Sequence, residues 1–510
     1  MSTGGNKKIV TLAALGERAA AWKADGKTIA LCHGVFDLLH PGHVRHLEAA
    51  AREADVLVIT ITADSFVNKG PGRPVFPDQL RAEVLAAFQC VGLVAIHHAP
   101  TAVEAIHAVR PHVYVKGSDY KDVSQDLTGK IADETVAVQS HGGRVVYTDD
   151  IVFSSSSLVN EYFFPYPDSA AEFLRQLRES ARFEALQQGL ESARSARVLV
   201  IGDAIIDEYH YCTPLGKSPK GDVINTRHLS AEMFAGGVLA TANHLADFCE
   251  RVDLVTCLGD QDSREDFIRA HLKPNVHPKF FQTRGLPTVV KRRFVEPGYM
   301  RKLFEVSFFG DDGLRHAGNP SLTRHLAQIA GEYDVVLAAD FGHGVMDRSA
   351  IEAVCQHAQF LAVNAQTNSA NIGFNLVTKY PRADYICVDE LEARLASQDQ
   401  RSQLETIIVQ LATQLGARGM AITHGHHGCL IYSEHDGVHR IPALTNKVVD
   451  TVGAGDAFLA LSTLCMAVGL PVALAGLVGN AAGAMHVGSV CNRQSIEKIA
   501  LLKFLATLFK

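Results

Sequence analysis

What the chain lacks narrows its class first. Its 10 cysteines include no Cys-x-x-Cys pair and no regular spacing, so no disulfide framework is expected and reduced thiols in a cytosol are the default. Positive charge is not in excess: 48 basic residues stand against 55 acidic ones, which removes the electrostatic footprint of a nucleic-acid binder. No apolar stretch runs long enough without interruption to span a bilayer, and the first residues carry no signal-peptide apolar core. A soluble cytoplasmic protein is expected, with no membrane and no nucleic-acid partner. Its 510 residues exceed one ordinary domain; at roughly 100–200 residues per domain, two to four are expected.

The chain is organised around Gly34-Val35-Phe36-Asp37-Leu38-Leu39-His40-Pro41-Gly42-His43. An apolar run from Thr28 to Cys32 precedes it as a strand, and Val44, Leu47 and Ala51 follow at helical spacing. His40-x-Gly42-His43 therefore opens a helix, where free N–H groups and the helix dipole favour an anion. Gly42 lets a phosphate approach the backbone, and two imidazoles flank that approach. A four-residue His-x-Gly-His alone reads as an ordinary helix start with surface histidines. Zinc is the other rival, because His33, His40, His43 and His46 crowd together, but no Cys, Asp or Glu completes a tetrahedral set at usual spacing. The full string on a strand–loop–helix resembles the cytidylyltransferase-like nucleotidyltransferases, which implies a nucleotide site at Gly34, Phe36 and Gly42 with His40 and His43 catalytic.

Up to about Tyr147, strands at Asp55–Thr62, Leu93–Ile96, His112–Lys116 and Arg144–Tyr147 alternate with helical patterns at Pro77–Phe88, Thr101–Val109 and Ser124–Ser140. That alternation predicts a doubly wound parallel sheet with ligands at the carboxyl ends of its strands. Lys69 with Gly70-Pro71-Gly72-Arg73-Pro74, and Lys116-Gly117-Ser118-Asp119-Tyr120, fall at such ends. Taken singly, each is a surface basic residue or a cap. By the same resemblance, Gly72-Arg73-Pro74-Val75 with Arg81 corresponds to a phosphate-contacting segment. Val115-Lys116-Gly117-x-Asp119-Tyr120 is similar to the lysine loop of heptose 1-phosphate adenylyltransferases, with Lys116 catalytic. Ser154 and Ser155, in a run of four serines, stand where that family opens its last helix near the nucleotide phosphates.

Phe164-Pro165-Tyr166-Pro167-Asp168 breaks the pattern, and a charged helical stretch to about Arg194 reads as linker plus helix, with Phe173, Leu174, Leu177 and Phe183 inward. A second α/β unit starts at Arg197–Asp203 and passes through Ala235-Gly236-Gly237 and the strand-rich Val276–Glu305. Further strands end at Asp340, Asn364, Asp389-Glu390 and His424-Gly425. Its chemistry centres on Asp450-Thr451-Val452-Gly453-Ala454-Gly455-Asp456, with an apolar helix expected from Ala457. Small residues let N–H groups converge on a transferring phosphoryl group, and Asp456 can accept the proton of an attacking hydroxyl. With Asn480-Ala481-Ala482-Gly483 on the next helix, the string resembles the ribokinase-like (PfkB) sugar kinases. The resemblance implies nucleotide contacts at Gly425, Gly428, Gly453, Ala454, Gly455 and Asn480, and sugar contacts at Asp203, Asp207, Gly236, Gly237 and Asp340. It further implies Mg²⁺ placed by Glu390 and a small β lid around Val223–Met233.

Together the two units resemble the bifunctional heptose 7-phosphate kinase / heptose 1-phosphate adenylyltransferases, here with the transferase first, the reverse of the usual order. The expected fold class is α/β: a Rossmann-like nucleotidyltransferase domain at 1–165, a linker and helix at 166–196, and a ribokinase-like domain with a β lid at 197–510. The resemblance implies that ATP phosphorylates a sugar or sugar phosphate (heptose 7-phosphate-like) and that ATP or CTP then donates the nucleotidyl group, with Mg²⁺ and a homodimer. The kinase half departs from the family pattern: Asp-Pro-Lys reads Asn364-Ala365-Gln366, Asn-x-x-Glu reads Cys387-Val388-Asp389-Glu390, and the Asn expected between Val238 and Ala242 is absent. A changed sugar phosphate is the expectation, while Lys217, Lys220, Lys291 or Arg293 could supply the missing charge. The alternative is an active transferase, CTP-dependent with a polyol phosphate acceptor, on a silent kinase scaffold.

Overall fold

A computed structural model describes residues 7–117, 130–148, 166, 169–310 and 319–509. The chain divides into two compact units, Met1–Pro165 with Leu502–Lys510, and Tyr166–Leu501. The last residues of the chain thus group with the first unit, and the helices Ser169–Ser180 and Phe183–Ser192 with the second. Leu174, Leu177, Leu186 and Leu190 bury the inner stripe of those two helices.

In the first unit, β1 (Ile9–Val10), β2 (Ile29–Gly34), β3 (Val56–Thr62), β4 (Val91–His97), β5 (Val113–Gly117) and β6 (Arg144–Thr148) form one parallel sheet. Their order is β1-β4-β3-β2-β5-β6. Alternate residues feed two cores, Ala30, Cys32, Leu57, Ile59 and Ile61 on one face and Ile29, Leu31 and Val58 on the other, as a period-2 backbone covered on both sides requires. From β2 the chain steps to β3 and β4, then returns across β2 to β5. That reversal opens a crevice at the carboxyl ends of β2 and β5, the place where ligands bind such sheets. The short β1 and the helix Leu12–Ala24, capped by Thr11, precede the first strand read from sequence.

The second unit holds β7 (Val198–Gly202), β8 (Ala204–Lys217), β9 (Ile224–Gly237), β10 (Val252–Gly259), β11 (Val276–Thr283), β12 (Val289–Glu296) and β13 (Arg301–Phe308). It continues with β14 (Val335–Asp340), β15 (Leu361–Ala365), β16 (Tyr385–Asp389), β17 (Gly419–Thr423), β18 (Cys429–Ser433) and β19 (Gly437–Ile441). Nine strands order as β11-β10-β7-β14-β15-β16-β17-β18-β19, parallel as far as β17, with β18 and β19 added as antiparallel hairpins. The lid is larger than the expected Val223–Met233: four strands, β13-β12-β8-β9, make a separate sheet. The helix of the Gly453-Ala454-Gly455 motif begins at Ala454, not Ala457, because Gly453 takes a left-handed φ of 87° and ends the preceding turn. Asp456 therefore sits in the first helical turn. No helix among the described residues is long and apolar enough to cross a membrane.

Candidate functional site

In the first unit, the Gly34–His43 loop and Lys116 both lie at the crevice between β2 and β5. Gly34 ends β2, and Phe36 follows in a left-handed conformation (φ 51°) with its ring 5.5 Å from that of His43. Such a backbone is costly for a bulky residue and is found where a site holds it in place. Buried Asp37 accepts hydrogen bonds from the N–H of Val75 (2.6 Å) and Phe76 (3.3 Å) and faces Arg73 at 3.7 Å. One carboxylate thus ties the Gly72–Val75 loop to the β2 loop.

His40 caps the helix Pro41–Arg52: its Nδ1 accepts from the N–H of Gly42 at 3.1 Å. An accepting Nδ1 puts the proton of the neutral ring on Nε2. The His43 ring lies 4.0 Å from that of His40. Burial, then the charges of His40, His46 and Lys69, push the His43 imidazole down to about 3, and burial lowers His40. Both are neutral at pH 7 and offer N–H dipoles rather than charges. His33 bonds Thr60 (2.9 Å) and His46 bonds Thr148 (2.8 Å). Buried Lys116 meets Glu134 at 2.9 Å, and the Tyr114 hydroxyl donates to the same carboxylate oxygen at 2.9 Å.

Two of the expected site residues are engaged by the protein itself. Arg81 is buried and donates to the carbonyls of Phe76 (2.9 Å), Thr62 (2.9 Å) and Val35 and to Asp64 (2.5 Å). It ties three loops together, with its guanidinium engaged by the protein. The Gly42 N–H is already bonded to His40, so Gly42 contributes close approach rather than a free donor. Ser154, Ser155 and the residues after Gly117 in the lysine loop lie outside the described residues.

In the second unit, Asp456 is buried, and its Oδ1 has no hydrogen-bond partner among the described residues. Burial, then the charge of Asp207, raises it to about 7, with Lys291 opposing. A buried, unpartnered carboxylate poised near neutrality has the chemistry of a general base. It shares its helical turn with Ala454, whose N–H donates to the Thr451 carbonyl at 3.3 Å, and with Gly455, whose N–H lacks an intrahelical acceptor. Asp450 fixes that turn by accepting from the Val452 N–H (3.2 Å), the Cys491 N–H (3.1 Å), the Tyr209 hydroxyl (2.6 Å) and the Lys302 ammonium (2.6 Å). Tyr209 and Lys302 belong to lid strands β8 and β13, so the lid and the turn share one anchor.

Asp207, on β8, is buried and held by the Arg293 guanidinium, which also meets Glu305 at 2.9 Å. A Cβ at Gly236 would lie 2.1 Å from the Asp207 carboxylate, and Gly237 takes a φ of 57°. Gly425 and Gly428 both have positive φ, and a Cβ at Gly428 would strike the Ile441 carbonyl. Asn480 donates to the Pro442 carbonyl at 2.6 Å.

Three expected site residues of this unit are likewise engaged by the protein. Asp203 accepts from the N–H groups of Phe341 (2.8 Å), His343 (3.2 Å) and Val345 (3.2 Å), so it clamps the loop after β14. Asp340 is bound by Lys379 (2.6 Å), Tyr380 (2.8 Å) and Asn375 (3.2 Å), and is equally engaged. Glu390 is paired with Arg394 (2.8 Å) and His424 (2.7 Å). The carboxylate nearer the base is Glu392, buried and raised to about 8 by burial and by Asp389, with Asp456 contributing. Its oxygens accept from the N–H of Thr367 (2.9 Å) and Asp389 (2.8 Å). Asp389-Glu390-Leu391-Glu392 also carries an acidic residue and a Glu at the Asn-x-x-Glu spacing, with Glu392 rather than Glu390 buried. Gln366 stands beside the motif, its Nε2 4.0 Å from where a Gly455 Cβ would be.

The model of the pfkB family of carbohydrate kinases matches residues 195–499, and that of the cytidylyltransferase-like family matches residues 31–161. Among curated relatives, "Bifunctional protein HldE" of Azorhizobium caulinodans is 41% identical over 140 residues, 27% of this chain and 28% of that protein. The protein of the same name from Acidiphilium cryptum is 41% identical over 150 residues, 29% of each chain. The chain thus spans under a third of the length of the curated relatives it matches. Among solved structures, a ribokinase from Thermotoga maritima aligns with 61% of this chain and 99% of its own, at 17% identity and a TM-score of 0.49.

Proposed function

The chain belongs to the pfkB family of carbohydrate kinases, and from that premise we propose that it is a bifunctional enzyme making a nucleotide-activated sugar. Residues 197–510 phosphorylate a sugar phosphate at its anomeric hydroxyl with ATP. Residues 1–165 then transfer a nucleotidyl group from an NTP to the new phosphate and release pyrophosphate. The reading rests above all on Asp456, a buried carboxylate without a partner, raised to about 7, in the first turn of a helix.

In the first reaction Asp456 takes the proton of the attacking hydroxyl. Charge developing on the transferred phosphoryl group meets the N–H groups of the first helical turn, which are already oriented when it forms. Buried Glu392, with Asp389 beside it at the helix start, suits Mg²⁺ brought in with the nucleotide, because a buried carboxylate gains from a divalent charge and such ions keep water and phosphate ligands. When bound, the ion neutralises phosphate charge. In the second reaction a phosphate oxygen attacks the α-phosphorus of the NTP. The Nε2–H of His40 and the imidazole of His43 stabilise the oxygens that gain charge, and Lys116, oriented by Glu134, adds positive potential. The enzyme works in the cytoplasm as a homodimer.

The test is Asp456→Asn. Phosphorylation of the sugar phosphate should collapse while a supplied sugar 1-phosphate is still converted to nucleotide sugar. Intact phosphorylation by the variant would place the base elsewhere.

A further inference from the structure

In the first unit, the turn Lys69-Gly70-Pro71-Gly72-Arg73 lies between the helical turn Asp64–Phe66 and the helix Asp78–Ala86. Gly70 and Gly72 both take left-handed φ angles, 92° and 80°. Arg73 closes the turn by donating its N–H to the Gly70 carbonyl at 3.3 Å. Asp37 fixes the far side through the N–H groups of Val75 and Phe76. The Lys69 side is held differently. The ring of Phe504, from the helix Lys498–Leu508, lies on Gly70: a Cβ there would come within 2.0 Å of Cδ2 and 2.6 Å of Cγ and Cε2. Phe504 is fully buried, and Leu502–Lys510 belong to the first unit.

A turn carrying two glycines loses much backbone freedom on ordering, so what it packs against decides where its side chains stand. That placement matters here, because the charge of half-buried Lys69 bears on His43. A ring pressed on a residue without a side chain stops the turn from sinking away from His43. We infer that Phe504 is a positioning residue of the nucleotidyltransferase site, a backstop that holds the turn where the Lys69 ammonium meets the phosphates of the incoming NTP. A residue at the opposite end of the sequence, in the stretch read as kinase, thereby serves the first unit's reaction. The inference rests on the transferase reading above.

The test uses the full chain and two readouts. One is steady-state nucleotidyl transfer to a supplied sugar 1-phosphate. The other is protection of the Lys69 amine from acetylation by ATP or CTP, read by peptide mass spectrometry, which needs no turnover. Phe504→Ala should raise the KM for the NTP, and the concentration that half-protects Lys69, about five- to tenfold, part of what a charge-assisted contact contributes. The KM for sugar 1-phosphate and kinase turnover should hold. Phe504→Leu, which refills most of the volume and keeps the fold, should shift the same two quantities by a smaller factor. A poorer fold would instead lower the active fraction, and so kcat, without moving KM. Because Phe504 acts through Lys69, its loss should add little to the KM of Lys69→Ala. Losses that multiply, a fall in kcat alone, unchanged KM and protection, or a parallel loss of kinase turnover would overturn the inference. A shift in protection with no nucleotidyl transfer by the wild-type chain would uphold the positioning role while the transferase reading fails.

Discussion

Asp456 carries opposite demands for catalysis and for folding. Its carboxylate must be ionised to accept a proton, so kcat/KM for sugar phosphorylation should rise with pH and level off above about 7. A profile flat down to pH 5 would remove it as the base. For stability the sign is reversed. A carboxylate whose folded pKa lies above its unfolded value stabilises the fold in the protonated state, and that contribution is lost as pH climbs through about 7. Asp456→Asn should therefore stabilise the fold at pH 8 by on the order of a few kcal/mol, seen as a higher Tm, and the gain should shrink toward pH 5. Thermal melts at the two pH values read it directly. His43 makes the complementary case: neutral throughout the working range, it acts as a dipole. His43→Ala should slow nucleotidyl transfer about a hundredfold, as loss of one oxyanion donor does, and leave phosphorylation untouched. Near-normal pyrophosphate release would remove the assignment.

At the scale of elements, Asp450 joins two lid strands to the turn that starts the catalytic helix. Lys302→Met removes one of two side-chain donors from a buried carboxylate, costing about 1–3 kcal/mol, and frees β13 from the turn. Kinase turnover should fall severalfold while nucleotidyl transfer holds; parallel losses in both would show a general folding defect. This is also where sequence reading ran out. Strand ends and their polar turns were legible, because a buried parallel strand shows as an apolar run and its exit as Gly or Asp: β2, β3, β5, β7 and β14 lie where such runs stand. The lid was seen only at its hairpin, because β12 pairs with β8 across more than eighty residues and no local pattern records that. Glu390 and Glu392 differ by two helical positions, about 200° of rotation, so one faces His424 and the other the base. Arg81 showed as a cation, but the carbonyls of Val35 and Thr62 that receive it are assembled by the fold.

At the scale of the whole chain, two catalytic sets share one polypeptide, and no residue named in one takes part in the other. On the proposed reading the chemistry is sequential: the sugar 1-phosphate made at Asp456 is the nucleophile required at His40 and His43. Incubating the full chain with sugar phosphates and each NTP in turn, with mass detection of products, tests this most directly. The account predicts a nucleotide sugar and pyrophosphate formed from a sugar phosphate, ATP and one preferred NTP, abolished by either Asp456→Asn or His43→Ala, with the Asp456→Asn reaction rescued by added sugar 1-phosphate. A nucleotide sugar made only when sugar 1-phosphate is supplied, with wild-type chain and every sugar phosphate tried, would contradict it.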